Sequence, residues 1–191
     1  LKAPHIDTSC IEMQRFSDNK YIVLFPGAGD KFRQWDVNNF VEVSKYILEN
    51  YNYDIAISGS PRENQIADDI RLKLNSNRVY NLIGRSPLTQ LAKLLSESEL
   101  LISNETSAVH FAAAVNSPVI CISNGSYLGR FHPYPENVFN KAYYIYPPEI
   151  LNDRSLHLSA SEDNKFRYHS HLSVNEIKPE TVIARIKEIL K

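Results

Sequence analysis

The stretch "ELLISNETSAVHFAAAVNSPVICIS", residues 99–123, decides the fold. Two short apolar runs, "ELLIS" and "PVICIS", flank a run of small residues that reads as a helix beginning near Thr106. Continuous apolar runs of this length are what strands buried on both faces look like, as in parallel sheets. Strand, helix, strand is then one crossover unit. The joint between the first strand and the helix is crowded with Asn104, Glu105, Thr106, Ser107 and His110. Such polarity between two buried elements needs a reason.

The same alternation extends upstream. "YIVLF" (21–25) is an apolar strand stopped by Pro26-Gly27-Ala28-Gly29, and "NNFVEVSKYILEN" (38–50) places Phe40, Val43, Ile47 and Leu48 on one helical face. "DIAIS" (54–58) is a second strand ended by Gly59-Ser60-Pro61, and 63–74 reads as a helix with Ile66, Ile70 and Leu74 at helical spacing. "VYNLIG" (79–84) is a third strand, and "PLTQLAKLLSES" (87–98) a helix with Pro87 in its first turn, where proline is tolerated. Strands alternating with amphipathic helices predict an α/β fold, a Rossmann-like parallel sheet with helices on both faces. In such a sheet every strand's carboxyl end meets one edge, and ligands sit in the crevice outside it. The PGAG loop, the turn at 58–61, the turn at 83–86 and "SNETSAVH" all converge there.

Downstream of Ser123 the pattern weakens into an aromatic, Gly- and Pro-rich loop followed by a late strand at 142–146. Residues 149–173 read as polar and irregular. The end is an amphipathic helix at 179–190, burying Val182, Ile183, Ile186, Ile189 and Leu190. Residues 1–20 have no clean periodicity and read as a linker or interdomain segment, leaving 21–191 as the domain. The chain begins at Leu1, so a domain cut from something longer is expected.

At 191 residues, 43% of them apolar and 23% charged, the chain has enough material for one domain with an ordinary surface. A formal net charge of -1 argues against a broad nucleic-acid or anionic-membrane footprint. Two cysteines, Cys10 and Cys121, make neither a disulfide framework nor a zinc site; Cys121, inside "PVICIS", reads as a core thiol. No apolar run approaches the ~20 residues needed to span a bilayer.

Three stretches carry candidate chemistry. In "FPGAGDKFRQW" (25–35), Gly27, Ala28 and Gly29 expose backbone N–H groups while Lys31 and Arg33 add positive charge, a combination suited to phosphate. The loop is neither a Walker loop nor a GxGxxG fingerprint, and a plain strand–helix turn is the competing reading. In "SNETSAVH", Asn104, Thr106 and Ser107 are all N-cap types, and only one is needed to cap. The free N–H groups of a helix start also attract anions. His110 follows Thr106 by one turn on the same face, as either a packed structural residue or a ligand contact. Glu105 either stabilises the helix start or binds sugar hydroxyls. Glu63, after the strand ending at Ser58, is either a helix-start acid or an acceptor for ribose hydroxyls. Tyr127, Arg130, His132 and Tyr134 pack the late loop or rim a sugar. No zinc-spaced histidine pair and no nucleophile elbow occurs, which disfavours a structural metal and hydrolytic nucleophile chemistry; no resident cofactor is expected either.

The order "FPGAGDKFRQW", "ISGSPREN", "NLIGRSPLTQLAKLLSESELLISNETSAVHFAAAVNSPVICI" resembles the carboxy-terminal donor-binding domain of the lipopolysaccharide heptosyltransferase family, glycosyltransferase family nine, of GT-B architecture. The likeness runs from Tyr21 to Ile122 and rests chiefly on Glu105-Thr106-Ser107-Ala108-Val109-His110-Phe111-Ala112-Ala113-Ala114, with Glu105 and Ser107 where the family pattern has Asp and Gly. The resemblance implies transfer of a sugar, often heptose from an ADP donor, to lipopolysaccharide or a related glycan. By that resemblance, amides at Thr106 and Ser107 would bind donor phosphate with His110 nearby. Arg33, or Lys31 beside it, would neutralise the leaving diphosphate, and Glu63 would contact the ribose. The turn with Ile83 and Gly84 would border the base. The family's acceptor domain lies upstream, so this domain alone is expected to bind donor and turn over poorly. The implied partners are a nucleotide sugar and, through the absent domain, a lipid-linked or other glycan acceptor, with no nucleic acid. The expected location is cytoplasmic, with peripheral contact at the inner membrane's cytoplasmic face as an option. Two further readings stay open, a GT-B sugar-nucleotide epimerase and a non-catalytic nucleotide-sugar-binding or scaffold module.

Overall fold

The computed structural model describes residues 4–84, 88–152, 170 and 172–190. Six strands form one parallel sheet. They are β1 (Tyr21–Phe25), β2 (Asp54–Ile57), β3 (Val79–Asn81), β4 (Leu100–Asn104), β5 (Val119–Ile122) and β6 (Ala142–Ile145), in the order β3-β2-β1-β4-β5-β6. The helices are α1 (Val37–Asn50), α2 (Asn64–Leu74), α3 (Leu88–Ser96), α4 (Ser107–Ala114), a short α5 (Pro148–Asn152) and α6 (Pro179–Ile189).

The strands' two-residue period sorts their side chains onto two faces. Ile22, Leu24, Ile55, Ile57, Leu100, Ile102, Ile120 and Ile122 pack with α1, α2 and α6. Tyr21, Val23, Ala56, Leu101, Val119 and Cys121 pack with α3 and α4. The small residues Ala108, Ala112 and Ala113 form the buried side of α4. Both faces are covered, as the uninterrupted apolar strands require. The chain builds outward from β1 to β3, then returns to place β4 on the other side of β1. Strand order therefore reverses between β1 and β4, and the loops leaving those two strands flank the crevice.

Several boundaries differ from the expected ones for local reasons. Pro61–Glu63 is a 3-10 turn rather than the start of the second helix, with Pro61 in the first position. β3 ends at Asn81, whose Oδ1 accepts the Ile83 N–H at 2.9 Å and bends the chain. β6 stops at Ile145 and is followed shortly by Pro147 and Pro148, which have no N–H for a ladder. The second of them opens α5, a helix inside the stretch read as irregular. The rest of that stretch, apart from 170, 172 and 173, lies outside the described residues, as do Arg85, Ser86 and Pro87.

The leading segment carries no helix or strand over its described residues, yet it is tied to the sheet. Ser17 Oγ donates to buried Asp54, and the Phe16 ring meets Tyr21 and Tyr80 edge-on at 4.8 and 5.2 Å. The Ile6 N–H donates to the Ala114 carbonyl at 2.9 Å. Among the described residues no helix is long and apolar enough to cross a membrane.

Leu101 sits fully buried in the centre of the sheet against α3 and α4. Leu101→Ala is expected to cost roughly 2–5 kcal/mol through lost burial and a residual cavity. Urea unfolding should show a lower midpoint at an unchanged slope.

Candidate functional site

The crevice is built around one amide. Asn104, the last residue of β4, is fully buried. Its Nδ2 donates to the carbonyls of Pro26 and Gly27 at 2.7 and 3.3 Å, and its Oδ1 accepts the Trp35 N–H at 3.1 Å. Two carbonyls and one N–H as partners leave a single orientation for the amide. Asn104 is thus no helix cap; it clamps the Gly-rich loop across the β1–β4 reversal. Thr106 is the cap, its Oγ1 accepting the Ala108 N–H at 3.3 Å. Ser107 is then the exposed first residue of α4, where helix N–H groups lack intrahelical partners.

Arg33 is positioned from the other side. Asp30 Oδ1 accepts the Phe32 N–H at 2.8 Å and caps the 3-10 turn Lys31–Arg33. The Arg33 guanidinium lies over the Tyr127 ring, 5.2 Å from its centroid. Arg33, Glu105, Thr106, Ser107 and His110 all line one cavity of about 330 Å³. Tyr127, Phe131, His132 and Tyr144 complete its aromatic wall, with Val109 and Cys121 behind. Lys31 is exposed and does not line this cavity.

Glu105 is buried rather than solvated at the helix start. Its Oε2 accepts from Ser123 Oγ and from His132 Nε2, the latter at 3.1 Å. Burial pushes the carboxyl's pKa up. The hydrogen bond and charge of His132 outweigh this, with help from Ser123 and Arg33, and hold it below the usual carboxylate value. His132 is itself fixed by a 2.8 Å hydrogen bond between Nδ1 and the Tyr146 hydroxyl, and by stacking on Tyr144 and Tyr146. His110 is half-buried, with Nδ1 2.8 Å from the Tyr134 hydroxyl. Burial, reinforced by His132 and opposed by Glu105, lowers its pKa, so the neutral imidazole is favoured. Burial likewise raises the Tyr134 phenol's pKa, so that hydroxyl stays protonated beside Nδ1.

The remaining sequence-derived candidates gather in front of β1 and β2. Glu63 lies across two glycines: a Cβ on Gly27 would stand 2.6 Å from Glu63 Cδ, and one on Gly59 3.0 Å from its Oε2. That Oε2 is buried and has no hydrogen-bond partner among the described residues. Ile83 Cδ1 stands 3.5 Å from the Gly59 Cβ position, and Gly84, at φ +69°, packs beside Pro61. Ser58 is buried, its N–H donating to the Leu24 carbonyl at 2.9 Å. Ala28 and Gly29 lie on the loop between the two groups, and a Cβ on Gly29 would lie 3.2 Å from the Arg33 guanidinium. Arg62 is exposed.

Ser123, Tyr144 and Tyr146 were not legible as site residues. The two tyrosines share a strand face by their two-residue spacing in "AYYIY", but nothing in that spacing names a histidine partner. Among the described residues, no group of three His, Cys, Asp or Glu side chains stands together as metal ligands would.

Fold and crevice together define a Rossmann-like lobe of the GT-B type. The chain belongs to glycosyltransferase family 9 (heptosyltransferase), whose model matches residues 4–147. It is 27% identical over 120 residues to lipopolysaccharide heptosyltransferase 3 of Escherichia coli, covering 62% of this chain and 35% of that protein. It is 24% identical over 162 residues to lipooligosaccharide heptosyltransferase 2 of Haemophilus influenzae, covering 83% and 43%. The family 9 glycosyl transferase from Veillonella parvula shares the fold at a TM-score of 0.70 and 18% identity, over 92% of this chain and 47% of that one. E. coli ADP-heptose lps heptosyltransferase II does so at 0.65 and 21%, over 91% and 47%. The matches thus span a third to a half of the relatives' length.

Because the Glu105 carboxyl is held below its usual value of 4.5, its contribution to stability is complete above that value and is lost as pH falls through the folded-state value. Glu105→Ala is expected to lose roughly 3 kcal/mol at neutral pH by stripping a buried pair of one partner. Denaturation across an acid series should show that deficit shrinking below about pH 4.5.

Proposed function

We propose that this chain is the donor-binding half of a glycosyltransferase that moves a sugar, heptose in the first instance, from a nucleoside diphosphate to a lipopolysaccharide-type glycan. The observation that carries this reading is the shared cavity of Arg33 and the α4 start at the β1–β4 reversal. A fixed guanidinium and unpaired helix N–H groups facing one space suit a diphosphate. The family membership, and the similarity to an E. coli heptosyltransferase with ADP-2-deoxy-2-fluoro heptose (TM-score 0.64, 17% identity, over 90% of this chain and 44% of that one), are consistent with it.

In this reading the diphosphate lies between Arg33 and the amides of Thr106 and Ser107, with His110 close by. The nucleoside runs toward β2, where the ribose hydroxyls donate to the Glu63 carboxylate. The base rests near Ile83 and Gly84. The sugar occupies the aromatic cavity beside Glu105. An acceptor hydroxyl, activated by an amino-terminal domain, attacks the anomeric carbon as the bond to the diphosphate breaks. Negative charge accumulates on the leaving group, so Arg33 and the α4 dipole interact more strongly with the transition state than with the bound donor. These protein groups supply the charge compensation, and the proposed transfer uses no resident cofactor. The proposed acceptor is a lipid-linked or other glycan, and the proposed place of action is the cytoplasm, with peripheral contact at the inner membrane's cytoplasmic face as an option.

Calorimetric titration with ADP tests the reading directly. Saturable one-site binding is expected, weakened roughly 10- to 100-fold by Arg33→Ala, the range for a lost charge-assisted hydrogen bond. Absence of binding by both ADP and UDP would instead assign a non-catalytic module. In a protein carrying both domains, Arg33→Ala should cost roughly 2–4 kcal/mol of transition-state stabilisation, read from kcat/KM. Glu63→Ala should weaken ADP roughly tenfold while leaving inorganic pyrophosphate unaffected, because only the nucleoside loses its partner.

A further inference from the structure

The Glu105 carboxylate is divided between two tasks by the residues around it. Oε2 takes both protein hydrogen bonds, from Ser123 Oγ and His132 Nε2, and no hydrogen bond reaches Oε1 among the described residues. Glu105 nevertheless lines the cavity, as Tyr127, Phe131 and Tyr144 do. Since a carboxylate only accepts, His132 Nε2 carries the proton in this pair. Nδ1 faces the Tyr146 hydroxyl at 2.8 Å, and the ring is stacked on Tyr144 and Tyr146 at 5.2 and 5.6 Å. The imidazole is nearly fully buried, with 3% of the residue exposed. Its hydrogen bond to Tyr146 and its two ring contacts hold it in this orientation.

We propose that His132 is a positioning residue for donor-sugar recognition, holding Glu105 by one oxygen so that the other stands in the cavity to accept a hydroxyl of the transferred sugar. The inference rests on the donor-binding reading above and deepens it. A Glu side chain has three rotatable bonds, and free in a cavity it would spread over several rotamers. His132 and Ser123 remove that freedom before the ligand arrives, so the sugar does not bear the ordering cost. The recognition element is then the pair, built from the end of β4 and from the loop between β5 and β6. Tyr146 acts one step further back, by fixing the ring.

The experiment compares ADP with ADP-heptose by calorimetry on this chain, in the parent, His132→Phe, His132→Gln, Tyr146→Phe and Glu105→Gln proteins. The ratio of the two affinities isolates the sugar's share. In the parent, ADP-heptose should bind more tightly than ADP. His132→Phe should reduce that ratio roughly 10- to 100-fold, the range for a hydrogen bond to a charged group, so that ADP-heptose loses far more affinity than ADP. His132→Gln, which keeps an N–H donor, should restore most of it, and Tyr146→Phe should give a partial loss. Glu105→Gln should resemble His132→Phe. Near-ultraviolet circular dichroism checks that each variant is folded; if His132→Phe is not, the Gln and Tyr146→Phe variants carry the comparison. A parent chain that binds no ADP overturns the donor-binding reading itself. A parent that binds ADP with no gain from the sugar overturns this inference alone. So does a variant series in which ADP and ADP-heptose weaken equally, since that is the mark of a general loosening of the site.

Discussion

The side chain of Asn104 holds the crevice together. It ends the strand on one side of the sheet's order reversal and grips the loop leaving the strand on the other side. Buried polar groups are tolerated when every bonding position is used, and here both ends of the amide are used. Without it, the carbonyls of Pro26 and Gly27 and the N–H of Trp35 would each need a new partner in a place that excludes water. The glycine loop would then have no defined distance from the start of α4. Arg33 follows that loop by a few residues, so its approach to the cavity depends on the same clamp.

From this clamp the site divides into a part built on the sheet and a part built on a loop. Thr106, Ser107 and Glu105 stand on the junction of β4 and α4, which is packed into both hydrophobic layers. His132, Phe131, Tyr127 and Tyr134 come from the long loop between β5 and β6, held by hydrogen bonds and ring contacts to its neighbours. A sheet edge carrying a helix start and a loop carrying the cavity wall is how one scaffold serves several ligands.

The parallel sheet was legible because its strands are uninterrupted apolar runs and its helices have clean one-sided periodicity, as "YIVLF" and the Phe40, Val43, Ile47 series show. The edge where the candidates gather followed from the crossover rule alone. Individual partners were not legible. Asn104 looked like one of several helix caps, and only the register of β4 beside β1 reveals that its amide reaches the loop. Glu105 read as a surface acid or a sugar contact, whereas its burial depends on Ser123 and His132, both placed by tertiary packing. The glycines at 27 and 59 announced a turn; that they leave room for Glu63 required seeing Pro61–Glu63 wind into a 3-10 turn.

The indole of Trp35 donates to the carbonyl of Ile177 at 2.9 Å, and the Asp36 N–H donates to Asn175 Oδ1 at 2.7 Å. Both bonds reach from the arginine-bearing loop to the segment just before α6, the first across 142 residues of sequence. Contacts of such separation close late in folding, because the loop entropy must be spent before they form. On a ribosome the early crossovers can be in place long before Ile177 has been made. A newly made chain would then pass through a stage with its sheet begun and the Trp35 indole still without its carbonyl. The loop that carries Arg33 would take its final seat only once the segment leading into α6 has docked.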